Sequence, residues 1–284
     1  MILSTHTLTV YGHFDIKETF DKIAKAGFAG VDFNFDAGDF CLINDKQYFL
    51  DLRKYAEDKG LTIHMAHAPW PSSFNNEEET EEAFVKIVQA IKNASYLGAK
   101  MIVVHPFFHL DPTIEGNMEK MFDLNVEFFK KLAPYAKEYN VKIAIENIGA
   151  KTACSTPEMM NEIYDTLNDP IFTICVDTGH FFRINIEPAE AVIKIGKRLV
   201  NGCLHVQDTV PPLDMHTLPF YGKINWEEMM KALAEIGYEG ELNLETFKFL
   251  KDLPKQVMPS ALEYMASVGN YLIERFEYYK NEKN

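Results

Sequence analysis

Histidine, aspartate and glutamate recur in this chain at one kind of place, directly after a short apolar run. His67 closes the run 61–67, His105 closes 101–105 and Glu146 closes 141–146. Asp177 closes 172–177 and is followed by His180, His205 closes 200–205, and Glu245 closes 241–245. Asp214 and His216 follow the seventh run. A lone histidine or glutamate at a strand end is more often a hydrogen-bonded or solvated surface residue than a ligand. Six successive runs that end this way are different. If the runs are neighbouring parallel strands, their terminal side chains meet on one rim, where unpaired carboxylates repel and carry a desolvation cost. A divalent cation offsets both. Glu146, Asp177, His205 and Glu245 offer carboxylate oxygens and one imidazole, a donor set that suits Mn²⁺, Co²⁺, Mg²⁺ or Zn²⁺, with no thiolate to force zinc.

The elements that must position these residues are legible in the same pattern. Eight β-type runs, 2–4, 30–33, 61–67, 101–105, 141–146, 172–177, 200–205 and 241–245, are short, rich in β-branched residues and often apolar at consecutive positions. Parallel strands covered on both faces read this way. Helical patterns fill the intervals at 16–26, 48–59, 78–97, 118–139, 157–167, 188–195, 226–236 and 254–278. Asp15 and Asn225 stand as N-caps, Gly60 and Gly98 as C-terminal glycines, and Pro157 and Pro188 in first turns. The 284 residues thus divide into eight β–α units of about 35 residues, the size expected of a TIM barrel. The expected fold is α/β, a single (β/α)₈ barrel spanning residues 1–284. An open doubly wound sheet predicts a glycine-rich phosphate loop after an early strand, and the sequence has none.

Lys and Arg number 28 and Asp and Glu 42, a formal net charge of −14. That balance disfavours nucleic acid and anionic membrane as partners, since both require clustered basic residues. No apolar window is long enough to span a bilayer, and the N-terminal residues lack a basic, then apolar, leader pattern. Cys41, Cys154, Cys175 and Cys203 are scattered without CxxC spacing, so a reducing cytoplasm is the expected compartment.

The segments Val-Asp-Thr-Gly-His at 176–180, Glu-Asn at 146–147, His-Val-Gln-Asp at 205–208 and Glu-Thr at 245–246 resemble the xylose isomerase-like barrel superfamily. That group contains sugar isomerases and epimerases, inosose dehydratases and the endonuclease IV type of nuclease. Each motif is short; their order from the third run to the eighth makes the match specific. The resemblance implies one metal held by Glu146, Asp177, His205 and Glu245. Glu146 and Glu245 would then be the catalytic acid/base pair that moves a proton next to a carbonyl through an enediolate, with His180 contacting a small sugar or polyol. The nuclease branch adds positions matched by His67, His105, His180, Asp214 and His216, and would imply up to three zincs. A lyase of the inosose dehydratase kind would use the same quartet.

The acidic balance and the acidic stretches 36–40 and 77–79 weigh against a polyanionic substrate. The ketohexose epimerases carry an arginine after the strand-seven histidine, and this chain has none from His205 to Tyr221. Further expectations are that Asp208 orients His205 and that Asp214 and His216 bind a further metal or stand behind the ligands. His67, His105 and Trp70 would touch substrate, and Phe33, Phe35, Trp70, Phe107, Phe108 and Phe247 would line an apolar wall. His6 would reach the pocket rim, whereas His64 would be structural, facing away from His67. The last helix is the candidate surface for homo-oligomer formation.

Overall fold

Side chains alternate across a strand, so every second residue of a closed parallel sheet enters the barrel and the others meet the surrounding helices. In the computed structural model, residues 1–70, 77–106, 110–111, 113–149 and 152–282 are described. The strands are β1 (Leu3–His6), β2 (Gly30–Asn34), β3 (Thr62–His67), β4 (Met101–Val104), β5 (Lys142–Glu146), β6 (Phe172–Asp177), β7 (Cys203–His205) and β8 (Leu242–Leu244). They pair in parallel in chain order, and β8 pairs with β1. Between β7 and β8 the ring closes through Val206, whose amide donates to Asn243 O at 2.8 Å and whose carbonyl accepts from Glu245 N at 3.0 Å. The expected TIM barrel is therefore present.

Two apolar clusters follow from the alternation. Ala66, Ile102, Val104, Ile143, Ile145, Ile174, Val176 and Leu204 join the large layer between sheet and helices. Met65, Met101, Val103, Ala144, Cys175 and Cys203 form a separate small cluster inside the barrel. His67, Glu146, Asp177 and His205 each stand two residues beyond a member of that inner cluster. The period of two therefore aims them at the same axis, at the carboxyl ends of the strands.

The helices are α1 (Ile16–Lys25), α2 (Lys46–Asp58), α3 (Glu77–Leu97), α4 (Asn117–Tyr139), α5 (Pro157–Leu167), α6 (Thr178–Phe182), α7 (Pro188–Ile195), α8 (Trp226–Ile236), α9 (Phe247–Leu250) and α10 (Met258–Glu282). Asp15 caps α1 in a reciprocal box with Glu18, and Thr156 and Asn225 cap α5 and α8. The short helices α6 and α9 directly follow ligand-bearing strands and were not expected. α6 forms because Asp177 turns its carboxylate onto the amide of His180 at 2.6 Å, an N-cap made by the strand's own last residue. α10 begins at Met258 rather than at 254. It buries Leu262, Met265, Leu272 and Phe276 as the eighth barrel helix. No helix among the described residues is long and apolar enough to cross a membrane.

The barrel interior is not uniform. Ser4 and His6 of β1, Asp32 and Asn34 of β2, and Glu241 and Asn243 at β8 are polar and buried, facing the apolar inner cluster of β3–β7. Glu241 is 8% exposed, and its Oε2 finds no hydrogen-bond partner among the described residues. Burial lifts its carboxyl from 4.5 to about 7. A raised carboxyl pKa makes the folded state hold a proton that the unfolded chain releases, so stability is lost as pH rises from 4.5 through 7. Glu241→Gln removes that loss. Its stability advantage over the wild type should be small at pH 5 and grow by roughly 1–3 kcal/mol by pH 8 in urea melts. A pH-independent difference would show that Glu241 is ionised in the folded state throughout.

Candidate metal centre

Four strand ends deliver the quartet: Glu146 from β5, Asp177 from β6, His205 from β7, and Glu245 one residue past β8. Each offers a ligand atom, and these atoms lie within 4.8 Å of one another. All four are at most 5% exposed. Both Glu146 oxygens, Glu245 Oε2 and His205 Nδ1 are buried without a hydrogen-bond partner. Orphaned donors and acceptors converging on one point are what a metal satisfies, and the mix of oxygens with one nitrogen fits a hard or borderline divalent ion.

The ionisation pattern has the same origin. Burial would push the Glu146 and Glu245 carboxyls up, yet His205, with His105 beside Glu146 and His216 beside Glu245, holds both well below the usual range. Burial drives Asp177 up to about 7. His205 is pushed well above its ordinary value, burial being outweighed by Glu245 and Glu146. Protons on imidazoles thus balance the carboxylates in the polypeptide alone, and a bound cation would displace them.

Polar neighbours fix which nitrogen each histidine presents. His205 Nε2 lies 3.2 Å from Asp32 Oδ2, which turns Nδ1 toward Glu146 Oε1 at 3.1 Å and Glu245 Oε2 at 3.6 Å. His67 Nδ1 donates to Ala68 O at 2.7 Å, leaving Nε2 toward His105 Nε2 at 3.1 Å. His180 Nδ1 donates to Asn147 O at 2.9 Å.

Asp177 is held by Asn147 Oδ1, which accepts from its amide at 2.7 Å, and by Gln207 Nε2, which donates to Oδ1 at 3.1 Å. Gln207 Oε1 also accepts the amide of His216 at 3.1 Å. The glycine of Asp-Thr-Gly-His makes room for this bridge, since a Cβ on Gly179 would stand 2.2 Å from Gln207 Cδ.

Two further groups flank the quartet. His67 and His105 gather on Glu146, with His105 Nε2 2.9 Å and His67 Nε2 3.5 Å from Oε2. His180 and His216 gather on Asp214, their Nε2 atoms 3.7 and 3.3 Å from Oδ1. Trp70, 54% exposed, sets its ring edge-on to His105 with centroids 4.8 Å apart. It also lines a cavity of about 340 Å³ whose other walls include Asp36, Asp39, Glu79 and Glu82. Phe247 packs on the ring of His216 at 4.4 Å.

Some expectations need correction. Asp208 makes no contact with His205. Its carboxylate accepts from the backbone amides of Thr209, Phe220 and Ile224 and from the indole of Trp226, at 2.8–3.2 Å. It therefore ties down the loop that follows β7. The orienting carboxylate is instead Asp32 on β2, which also accepts from Asn243 Nδ2 at 3.1 Å. Phe33 and Phe35 are fully buried and pack with Phe20, Phe40 and Phe49, because their strand positions face the helices. Phe107 and Phe108 lie outside the described residues. His6 is within the barrel rather than at its rim, with Nε2 3.2 Å from Asn34 Nδ2, and burial lowers it to about 4. His64 is exposed, on the opposite parity from His67.

The sequence reading missed Asp32, Gln207, Arg183 and Lys248. Asp32 and Gln207 carry a signal, since each is polar at an inward position. The two cations carry none, because Arg183 directly follows α6 and Lys248 lies in α9, two short helices that no sequence pattern marks.

A family model described as xylose isomerase-like TIM barrel matches residues 20–268. The chain belongs to that family. D-psicose 3-epimerase of Enterocloster bolteae is 25% identical over 241 residues, covering 82% of this chain and 77% of that protein. A probable endonuclease 4 of Metamycoplasma arthritidis is 29% identical over 143 residues, 49% of each chain. A crystal structure of IOLI protein with a binding zinc atom superposes with a TM-score of 0.78 at 20% identity, over 98% of this chain and 99% of that one. Within the family, then, this chain has both sugar-epimerase and nuclease relatives, and the site geometry must separate them.

Asp32 and Asp208 give opposite expectations. Asp32→Asn should weaken divalent-metal affinity by about 10–100-fold in chelator competition, with little change in far-UV circular dichroism. Asp208→Ala should leave metal affinity within a few fold but cost about 3 kcal/mol or more in urea melts, because it leaves several buried donors unpaired. Equal effects of the two on metal affinity would overturn the assignment of Asp32.

Proposed function

We propose that this chain is a divalent-metal-dependent isomerase or epimerase of a small sugar or polyol, working by proton transfer next to a carbonyl. The observation that carries the reading is the placement of Glu146 and Glu245. They arrive from β5 and β8, strands on either side of β7 in the ring, and both reach His205 Nδ1. Two carboxylates brought to one ligand from opposite sides can address both faces of a carbon held between them. A bound metal would polarise the carbonyl and make its neighbouring proton acidic. One glutamate removes that proton and the other returns one, on the opposite face when the reaction is an epimerisation. Asp177 and His205 hold position, and Asp32 fixes the tautomer of His205. His180 offers Nε2 to a hydroxyl, and Trp70 and Phe247 provide apolar walls for the ring of a sugar.

The quartet and the His67–His105–Glu146 and His180–Asp214–His216 groups, three of the five candidate ligand groups among the described residues, also support a second reading, a zinc phosphodiesterase of the endonuclease IV kind. The acidic cavity beside Trp70 weighs against it. Asp36, Asp39, Glu79 and Glu82 line that cavity, and Lys86, its one cation among the described residues, is paired with Glu82 at 2.7 Å. A phosphate backbone would meet carboxylates where it requires counter-charge.

In deuterium oxide, the metal-loaded protein should exchange the proton next to the carbonyl of a substrate drawn from free ketoses and inososes, read by proton NMR. Glu146→Gln, confirmed to be metal-loaded, should lose at least about 10³-fold of that rate while remaining folded. Exchange retained in the variant, or cleavage of an abasic-site duplex without exchange on any sugar, would overturn the reading.

A further inference from the structure

The His180–Asp214–His216 group differs from the quartet in what surrounds it. Arg183 Nη1 lies 3.4 Å from Asp214 Oδ2. Lys248 Nζ donates to the backbone carbonyl of Asp214 at 2.6 Å and stands 4.0 Å from Oδ2. Lys248, although its side chain is 41% exposed, is held by that bond to the Asp214 carbonyl. The Arg183 side chain is 32% exposed and runs against Gly149, where a Cβ would come within 3.0 Å of its Cδ. Lys248 stands over the ring of Phe247 at 5.8 Å. Around the quartet, by contrast, no Lys or Arg among the described residues makes an ion pair with Glu146, Asp177 or Glu245.

Donor geometry alone would admit an ion to either group, since the ligand atoms in both lie within 4.8 Å of one another. Charge separates them. The quartet brings three carboxylates to one imidazole, so a divalent ion would offset two of its three negative charges. The His180 group has one carboxylate, already faced by a guanidinium that never loses its proton and by an ammonium. The carboxylates that touch His180 and His216, namely Glu146, Asp177 and Glu245 at 3.3–3.7 Å, belong to the quartet, where the first ion would offset them. A second divalent ion would add two positive charges beside Arg183 and Lys248, at short range in a partly buried pocket. Resting on the isomerase reading above, we infer that Arg183 and Lys248 keep the His180–Asp214–His216 group free of metal. The chain then holds its ion at the quartet, and the imidazole of His180 and the guanidinium of Arg183 remain available to oxygen atoms of the substrate. The same two residues bring positive charge to that flank, where residues 205–221 hold no arginine.

The test uses zinc as the probe. Full-length protein is dialysed against micromolar zinc, metal is counted by plasma mass spectrometry, and zinc is located in crystals by anomalous scattering at its absorption edge. The wild type should show zinc at the quartet and none between His180, Asp214 and His216. The Arg183→Met, Lys248→Met double variant should gain about one zinc per chain at that place. The charge-keeping Arg183→Lys should not, and circular dichroism melts of all three confirm folding. Zinc between His180, Asp214 and His216 in the wild type, or no gain in the folded double variant, would overturn the inference. An empty quartet in the wild type would instead overturn the metal-dependent reading on which it rests.

Discussion

Three carboxylates sealed from water within a few ångströms of one another are the constraint on which this structure turns. Burying one uncompensated carboxylate costs several kcal/mol, and mutual repulsion adds to it. Glu146, Asp177 and Glu245 persist together because imidazoles surround them and because Gln207 and Asn147 hold Asp177 by hydrogen bonds. On the metal-dependent reading proposed above, folding and function would be coupled at this point, since the arrangement that is costly without a cation is the one that would give a metal its affinity.

The barrel makes the convergence geometrically inevitable. Its strands carry their inward residues in steps of two, so the layer beneath the site is set in the same register as the site. On β3–β7 that layer is methionine, valine, alanine and cysteine, a dry floor that shields the charges above it. On β8, β1 and β2 it is Asn243, Ser4, His6 and Asp32. The polar sector is where Asp32 reaches up to His205, so the asymmetry of the interior serves the orientation of one ligand.

Much of this was readable from sequence, and the failures have identifiable causes. Strand ends could be found because apolar runs stop abruptly at His, Asp or Glu, and because a parallel barrel gathers such ends on one face. What the sequence could not show was lateral proximity. Asp208 follows His205 by three residues and seemed its natural partner, yet three residues reverse the side of the strand. Asp32, far away in the chain, faces inward from β2 and makes the contact. Phe33 and Phe35 misled for the same reason of parity, lying one step to either side of inward positions. Arg183, at the end of α6, and Lys248, in α9, depend on how these two short helices approach Asp214, which no local pattern encodes.

The way Asp208 is spent has a consequence for how this protein chooses what it binds. One buried carboxylate gathers donors from positions 209, 220, 224 and 226, and a Cβ on Gly222 would fall 2.2 Å from its Oδ1. The long connection after β7 is therefore cinched at its base like a drawstring bag, with Asp214 and His216 carried in its fold. That side of the entrance has its outline before any guest arrives. On the isomerase reading, selection there would be by silhouette: a molecule would be admitted by the shape it already has, without the protein having to move.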